Sequence, residues 1–206
     1  VCNADKPRYD AWLAGGNSPF LRAARVRKLR PANNQEVSQM SLTMFQASVP
    51  VFSQFLPALS AVLKKGAAFA EAKKIDPSVL INARIAPDMF ALARQVQIAT
   101  DHAKGSLARL AGVEIPSYAD TEATFDELEA RIAKTLAFVK TFKPEQIDGT
   151  EEKELVLTFG TQKFPFKGQT YLIQFALPNF YFHSSMAYAI LRHNGVDVGK
   201  RDFMGG

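Results

Sequence analysis

The chain has 206 residues, 47% hydrophobic and 22% charged: enough apolar material to bury one sizeable core, and too much for a disordered chain. Its formal charge of +5 is unevenly spread. Residues 1–39 carry seven Lys/Arg against three Asp/Glu, a net +4, which leaves the rest at +1 without the clustered basic face that nucleic acid requires. The one cysteine, Cys2, excludes a disulfide within the chain and a cysteine-based metal site. No uninterrupted run of about 18 apolar residues predicts a membrane span. No charged-then-apolar signal pattern opens the chain, so the expected compartment is the cytoplasm.

Residues 1–39 are punctuated by Gly15-Gly16, Pro19, Pro31 and Asn33-Asn34. They read as a poorly ordered N-terminal extension, with Met40-Ser41-Leu42 as a natural start for the domain at 40–206. A basic arm for an acidic partner is the alternative. A first helix is expected over 42–74, because Phe45, Val49, Phe52, Phe55, Leu56, Leu59, Val62 and Leu63 recur three and four apart. Pro50 suits its first turn, and Pro57 should kink or divide it. Residues 78–86 are expected as a short helix or a loop. A second long helix over 88–111 carries Phe90, Ala93, Val96, Ala99, Ala103, Leu107 and Leu110, with Gly112 as its stop. A third spans 121–142, with Asp120 or Thr121 as cap. Thr124 and Glu127 match a capping box, but one turn inside that start. Glu154 to Phe159, Gly160-Thr161 and Gln162 to Phe166 read as a hairpin. The fourth helix, over 169–194, is rich in aromatics and should kink at Pro178. The expected fold is all-α: a four-helix bundle with a small β-hairpin between the third and fourth helices.

Bundle sites are assembled from polar residues facing inward from several helices. Asn179 and His183 stand four apart on one helix face, with Tyr188 flanking it. Each also has a structural explanation: His183 as a core imidazole with one hydrogen bond, Asn179 as a mend for the backbone freed by Pro178. On the second helix, Gln95 and His102 lie on one flank of the apolar stripe, while Gln97, Asp101 and Lys104 lie on the other. Asp101 with Arg94 or Lys104 reads as a solvated ion pair, and His102 as exposed or at a helix boundary. His193 suits the helix C-terminus. Ser184 and Ser185 adjoin His183 in sequence and therefore point elsewhere. No Gly-rich phosphate loop and no H-E-x-x-H motif is present.

Several phrases resemble one bacterial family. They are Ala86-Pro87-Asp88-Met89-Phe90, Arg94-Gln95-Val96-Gln97, Ala108-Arg109-Leu110-Ala111-Gly112, and Leu177-Pro178-Asn179-Phe180-Tyr181-Phe182-His183. The ending Leu191-Arg192-His193-Asn194-Gly195 belongs with them. Together they resemble the domain-of-unknown-function 1993 family, within the DinB/YfiT-like superfamily of metalloenzyme-type bundles. The resemblance implies three inward histidines, one on the second helix and an H-x-x-x-H pair on the fourth. Here the pair reads Asn179-x-x-x-His183, and the second-helix position falls near Gln95 or Gln97. Three imidazoles suit Zn²⁺ or Ni²⁺, whereas one imidazole with two carboxamides is a weak, uncharged donor set.

The leading expectation is therefore a homodimeric bundle that binds a small ligand in a polar pocket of His183, Asn179, Gln97, Gln95 and Tyr188, with no tightly held metal or other cofactor. The alternative is a metal-dependent enzyme of thiol-transferase or hydrolase type, using a divalent metal such as Zn or Ni on His183, Asn179 and His102.

Overall fold

Local signals set most element boundaries. In the computed structural model, which describes residues 42–206, the first long helix, α1 (Val49–Lys73), begins after a turn over residues 44–48. The expected extension at 1–39 lies outside the described residues. Pro50 occupies the first turn of α1, and Pro57 sits inside a helix that continues unbroken for 25 residues. Packing along the buried face of Phe52, Leu56, Leu59 and Leu63 compensates the hydrogen bond that Pro57 cannot donate. The short helix α2 (Pro77–Ile81) is capped by the Asp76 carboxylate, which accepts from the Ser78 N–H at 2.8 Å.

Helix α3 (Leu92–Ala111) starts four residues later than its periodicity suggested. Pro87 directs residues 86–89 into a turn, closed by a bond from Met89 N–H to the Ala86 carbonyl at 3.0 Å. Gly112, at φ 73°, ends α3 in the left-handed region. Helix α4 (Phe125–Val139) opens on the Thr124–Glu127 capping box, not on Asp120 or Thr121. Residues 113–124 are thereby released as an extended strap, and Asp120 is free for an ion pair. After the single-turn α5 (Pro144–Ile147), strands β1 (Glu154–Phe159) and β2 (Gln162–Lys167) pair antiparallel, Glu154 opposite Lys167 and Phe159 opposite Gln162.

The fourth long helix runs without a gap in sequence but has three parts: α6 (Gly168–Tyr171), a π-helical turn (Leu172–Ala176) and α7 (Leu177–His193). The wide turn ends just before Pro178, where an ordinary helix would lose a hydrogen bond and meet the proline ring. Gly168 lets this helix begin hard against the preceding loop, because a Cβ there would clash with the Thr150 carbonyl oxygen at 1.9 Å. A last short helix, α8 (Lys200–Met204), is fastened to α1 by a Lys65–Asp202 ion pair of 2.7 Å.

Helix α3 packs most extensively on α7, and α4 packs on both α1 and α3. Phe52, Leu56, Leu63, Leu92, Leu107, Leu110, Leu128 and Phe180 fill the space between them. This is the expected helical bundle with a two-stranded hairpin. No helix among the described residues is long and apolar enough to cross a membrane.

Candidate functional site

Two polar systems flank the apolar stripe of α3. The first is an ion cluster under the 113–124 strap. Arg131 of α4 is buried, and its guanidinium donates to Thr100 Oγ1 at 2.7 Å, Asp101 Oδ1 at 2.8 Å and Glu122 Oε1 at 2.9 Å. Asp120 lies 3.0 Å from the same group and also pairs with Arg94. Lys104, likewise buried, joins Asp101 at 2.9 Å. The cluster's three cations and three carboxylates balance, and its chief product is a fixed strap. Gln97 belongs here: its Nε2 donates to Glu122 at 2.9 Å and its Oε1 accepts from Arg94 at 3.2 Å. The expected solvated Asp101 pair is thus one edge of a partly buried network.

The second system follows a stripe of α3 residues seven apart: Gln95, His102 and Arg109. Two helical turns separate each from the next, so all three share one face. His183 of α7 meets this face, and its Nδ1 lies 2.7 Å from Gln95 Oε1. Gln95 Nε2 in turn donates to the Phe90 carbonyl at 3.1 Å, which fixes the amide orientation. Only the tautomer with hydrogen on Nδ1 then satisfies both groups, leaving Nε2 of His183 as an acceptor.

The His102 ring lies nearly parallel to that of His183, at 12° and 6.1 Å between centroids. It also meets the edge of Phe175 at 5.7 Å, and Phe175 stacks on Tyr171 at 5.9 Å. His102 therefore sits in mid-helix within an aromatic column, not at an exposed helix end. Phe159 of β1 closes on Phe175 from the hairpin side at 6.1 Å. A cavity of about 140 Å³ remains among these groups, lined by Asp101, His102, Arg109, Tyr171, Phe175 and β1 residues 157–159.

Burial dominates the titration of both imidazoles. It takes His102 down to about 4, assisted by the Arg109 charge, and His183 down to about 3, assisted by His102. Burial also raises the Tyr171 hydroxyl, against the pull of Arg109. At neutral pH the site thus offers two uncharged imidazoles, a protonated phenol and one guanidinium. Asp101 is already committed to Arg131 and Lys104.

Of the residues expected at one pocket, Gln95 and His183 are joined, and His102 stands beside them. Asn179 turns its Nδ2 back to the Phe175 carbonyl at 2.7 Å, mending the wide turn before α7. Tyr188 packs on Phe203 at 5.9 Å near α8, and Gln97 lies across α3 in the ion cluster. Ser184 is buried with no hydrogen-bond partner among the described residues, so it is not a nucleophile activated by His183. Arg109 is the residue that helix-wheel reasoning overlooked. Its seven-residue spacing from His102 was the available signal.

These donors do not fit a tightly held divalent ion. The Asn179 amide is turned to the Phe175 backbone carbonyl, and Arg109 adds like charge beside His102. Among the described residues no three His, Cys, Asp or Glu side chains gather as a ligand set.

The model of a family called a domain of unknown function, DUF1993, matches residues 44–204. The crystal structure of a DinB family member protein from Shewanella denitrificans is 42% identical, with a TM-score of 0.72 over 79% of this chain and 92% of that one. None of the curated proteins matches the chain.

Proposed function

The chain belongs to the DUF1993 family, and from that premise we propose that its DinB-like bundle binds a small molecule between α3, the α6–α7 helix and the hairpin, without a resident metal. The observation that carries this reading is the cavity. It is a half-open cleft of about 140 Å³, and its walls combine an aromatic surface with a few convergent polar groups. His102 supplies a neutral imidazole to that space, and Arg109 with Tyr171 supplies donors. His183 and Gln95 hold the His102 side of the cavity in place by stacking and hydrogen bonding.

Binding is tested by a fragment screen on the full chain, read from NMR shifts of His102, Tyr171 and Phe175. Fragments at millimolar concentration should move these signals together. Leu157→Trp, which drives an indole into the cavity from β1, should suppress the shifts while the helical circular dichroism is retained. A screen that perturbs none of the three residues refutes the reading.

A further inference from the structure

We propose that the cavity is selective for a small planar carboxylate of about benzoate size, with Arg109 as its anchor; this rests on the pocket reading above. Arg109 is placed for the purpose by two features. Gly105, one turn before it, leaves room for the guanidinium to fold back along α3, since a Cβ at Gly105 would lie 2.6 Å from Arg109 Nη1. Tyr171 then receives a hydrogen bond from Nη1 at 3.1 Å and holds the group at the cavity wall. The folded-back guanidinium stands near residue 105, about 4.5 Å of helix rise from His102, so one small molecule reaches both.

Charge supplies the selectivity. Among the described residues Arg109 pairs with no carboxylate, whereas Arg94, Lys104 and Arg131 of the ion cluster on the other flank of α3 all do. The one acid lining the cavity, Asp101, is held by Arg131 and Lys104. A guanidinium has five N–H donors in a fork that matches a carboxylate, and its bond to Tyr171 uses one of them. Phe159, Tyr171 and Phe175 offer ring faces and edges to a flat apolar body. The volume of about 140 Å³ seats a single ring and would cover only part of a nucleotide.

The test compares three probes of nearly one shape on the full chain: benzoate, benzamide and benzylamine. Titrations are followed by NMR at His102, Tyr171 and Phe175. Benzoate should bind at least tenfold more tightly than benzamide, and benzylamine should not bind. Arg109→Gln should lower benzoate affinity at least tenfold, to the benzamide level, and change benzamide less than twofold. A purely structural tie between Arg109 and Tyr171 would weaken both probes alike and would overturn the proposal. So would equal binding of benzoate and benzamide to the unaltered protein, a comparison that needs no variant. If uncharged fragments occupy the cavity with no preference for the anion, carboxylate selectivity alone fails. If nothing moves the three residues, the binding reading fails with it.

Discussion

Replacing Arg131 by Met removes the guanidinium while keeping most of the aliphatic stem. Breaking a buried ion pair from one side costs about 3–5 kcal/mol, because the remaining charges lose their partner without regaining full hydration. Here the lower end applies. Asp101 keeps Lys104 at 2.9 Å, Asp120 keeps Arg94, and both carboxylates are nearly two-fifths exposed, at 38% and 39%. Glu122 suffers most: it is 13% exposed, and its only other described partner is the Gln97 amide. The expected loss is about 3 kcal/mol, equivalent to roughly 6–12 °C in Tm for a domain of this size. Urea unfolding followed by circular dichroism measures the first quantity, and thermal melting the second. The double variant Arg131→Met, Glu122→Gln should recover at least about 1 kcal/mol by removing the stranded charge. A loss below about 1 kcal/mol for the single variant would place the cluster with exposed ion pairs and refute the account of the strap.

Three further outcomes follow from the same geometry. Gly168→Ala should destabilise by about 2 kcal/mol or more, since its methyl group meets the Thr150 carbonyl and forces the helix start away from its loop; a change under about 0.5 kcal/mol in urea would contradict that contact. His102 and His183 titrate well below 6.5 in the folded protein, so the unfolded chain binds more protons between their folded values and 6.5. Their contribution is complete above pH 6.5 and is lost on acidification, by about 2 kcal/mol per imidazole at pH 5. Urea curves at pH 7.5 and 5 should show this slope, and His183→Gln, which leaves His102 titrating, should reduce it by about half; a pH-independent stability refutes the burial of these rings. Protein purified without an affinity tag should hold less than about a tenth of an equivalent of zinc or nickel, and stoichiometric metal in elemental analysis would overturn the donor argument.

Helix order, the hairpin and the fold class were legible in the sequence because they depend on local patterns. The Phe and Leu spacing along α1, the left-handed stop at Gly112 and the alternation around Gly160 each act within one element. Boundaries went astray where two local signals competed. The capping box at Thr124 prevailed over the earlier caps, and Ala119, Asp120 and Glu122, which it leaves outside the helix, meet Arg131 instead.

The site was legible only in part. Gln95, His102 and Arg109 share a face by spacing alone, and His183 was expected to look inward. Which neighbour each would meet is a matter of how α3 and α7 lie against each other, and no local pattern encodes that. The wide turn at Leu172–Ala176 adds a residue before α7 and sends Asn179 to a backbone carbonyl instead of the pocket. The same crossing sets His183 on Gln95 and leaves Gln97 facing the opposite flank. Residue spacing determines which groups share a helix face; only the packing of one helix against another decides which of those groups touch.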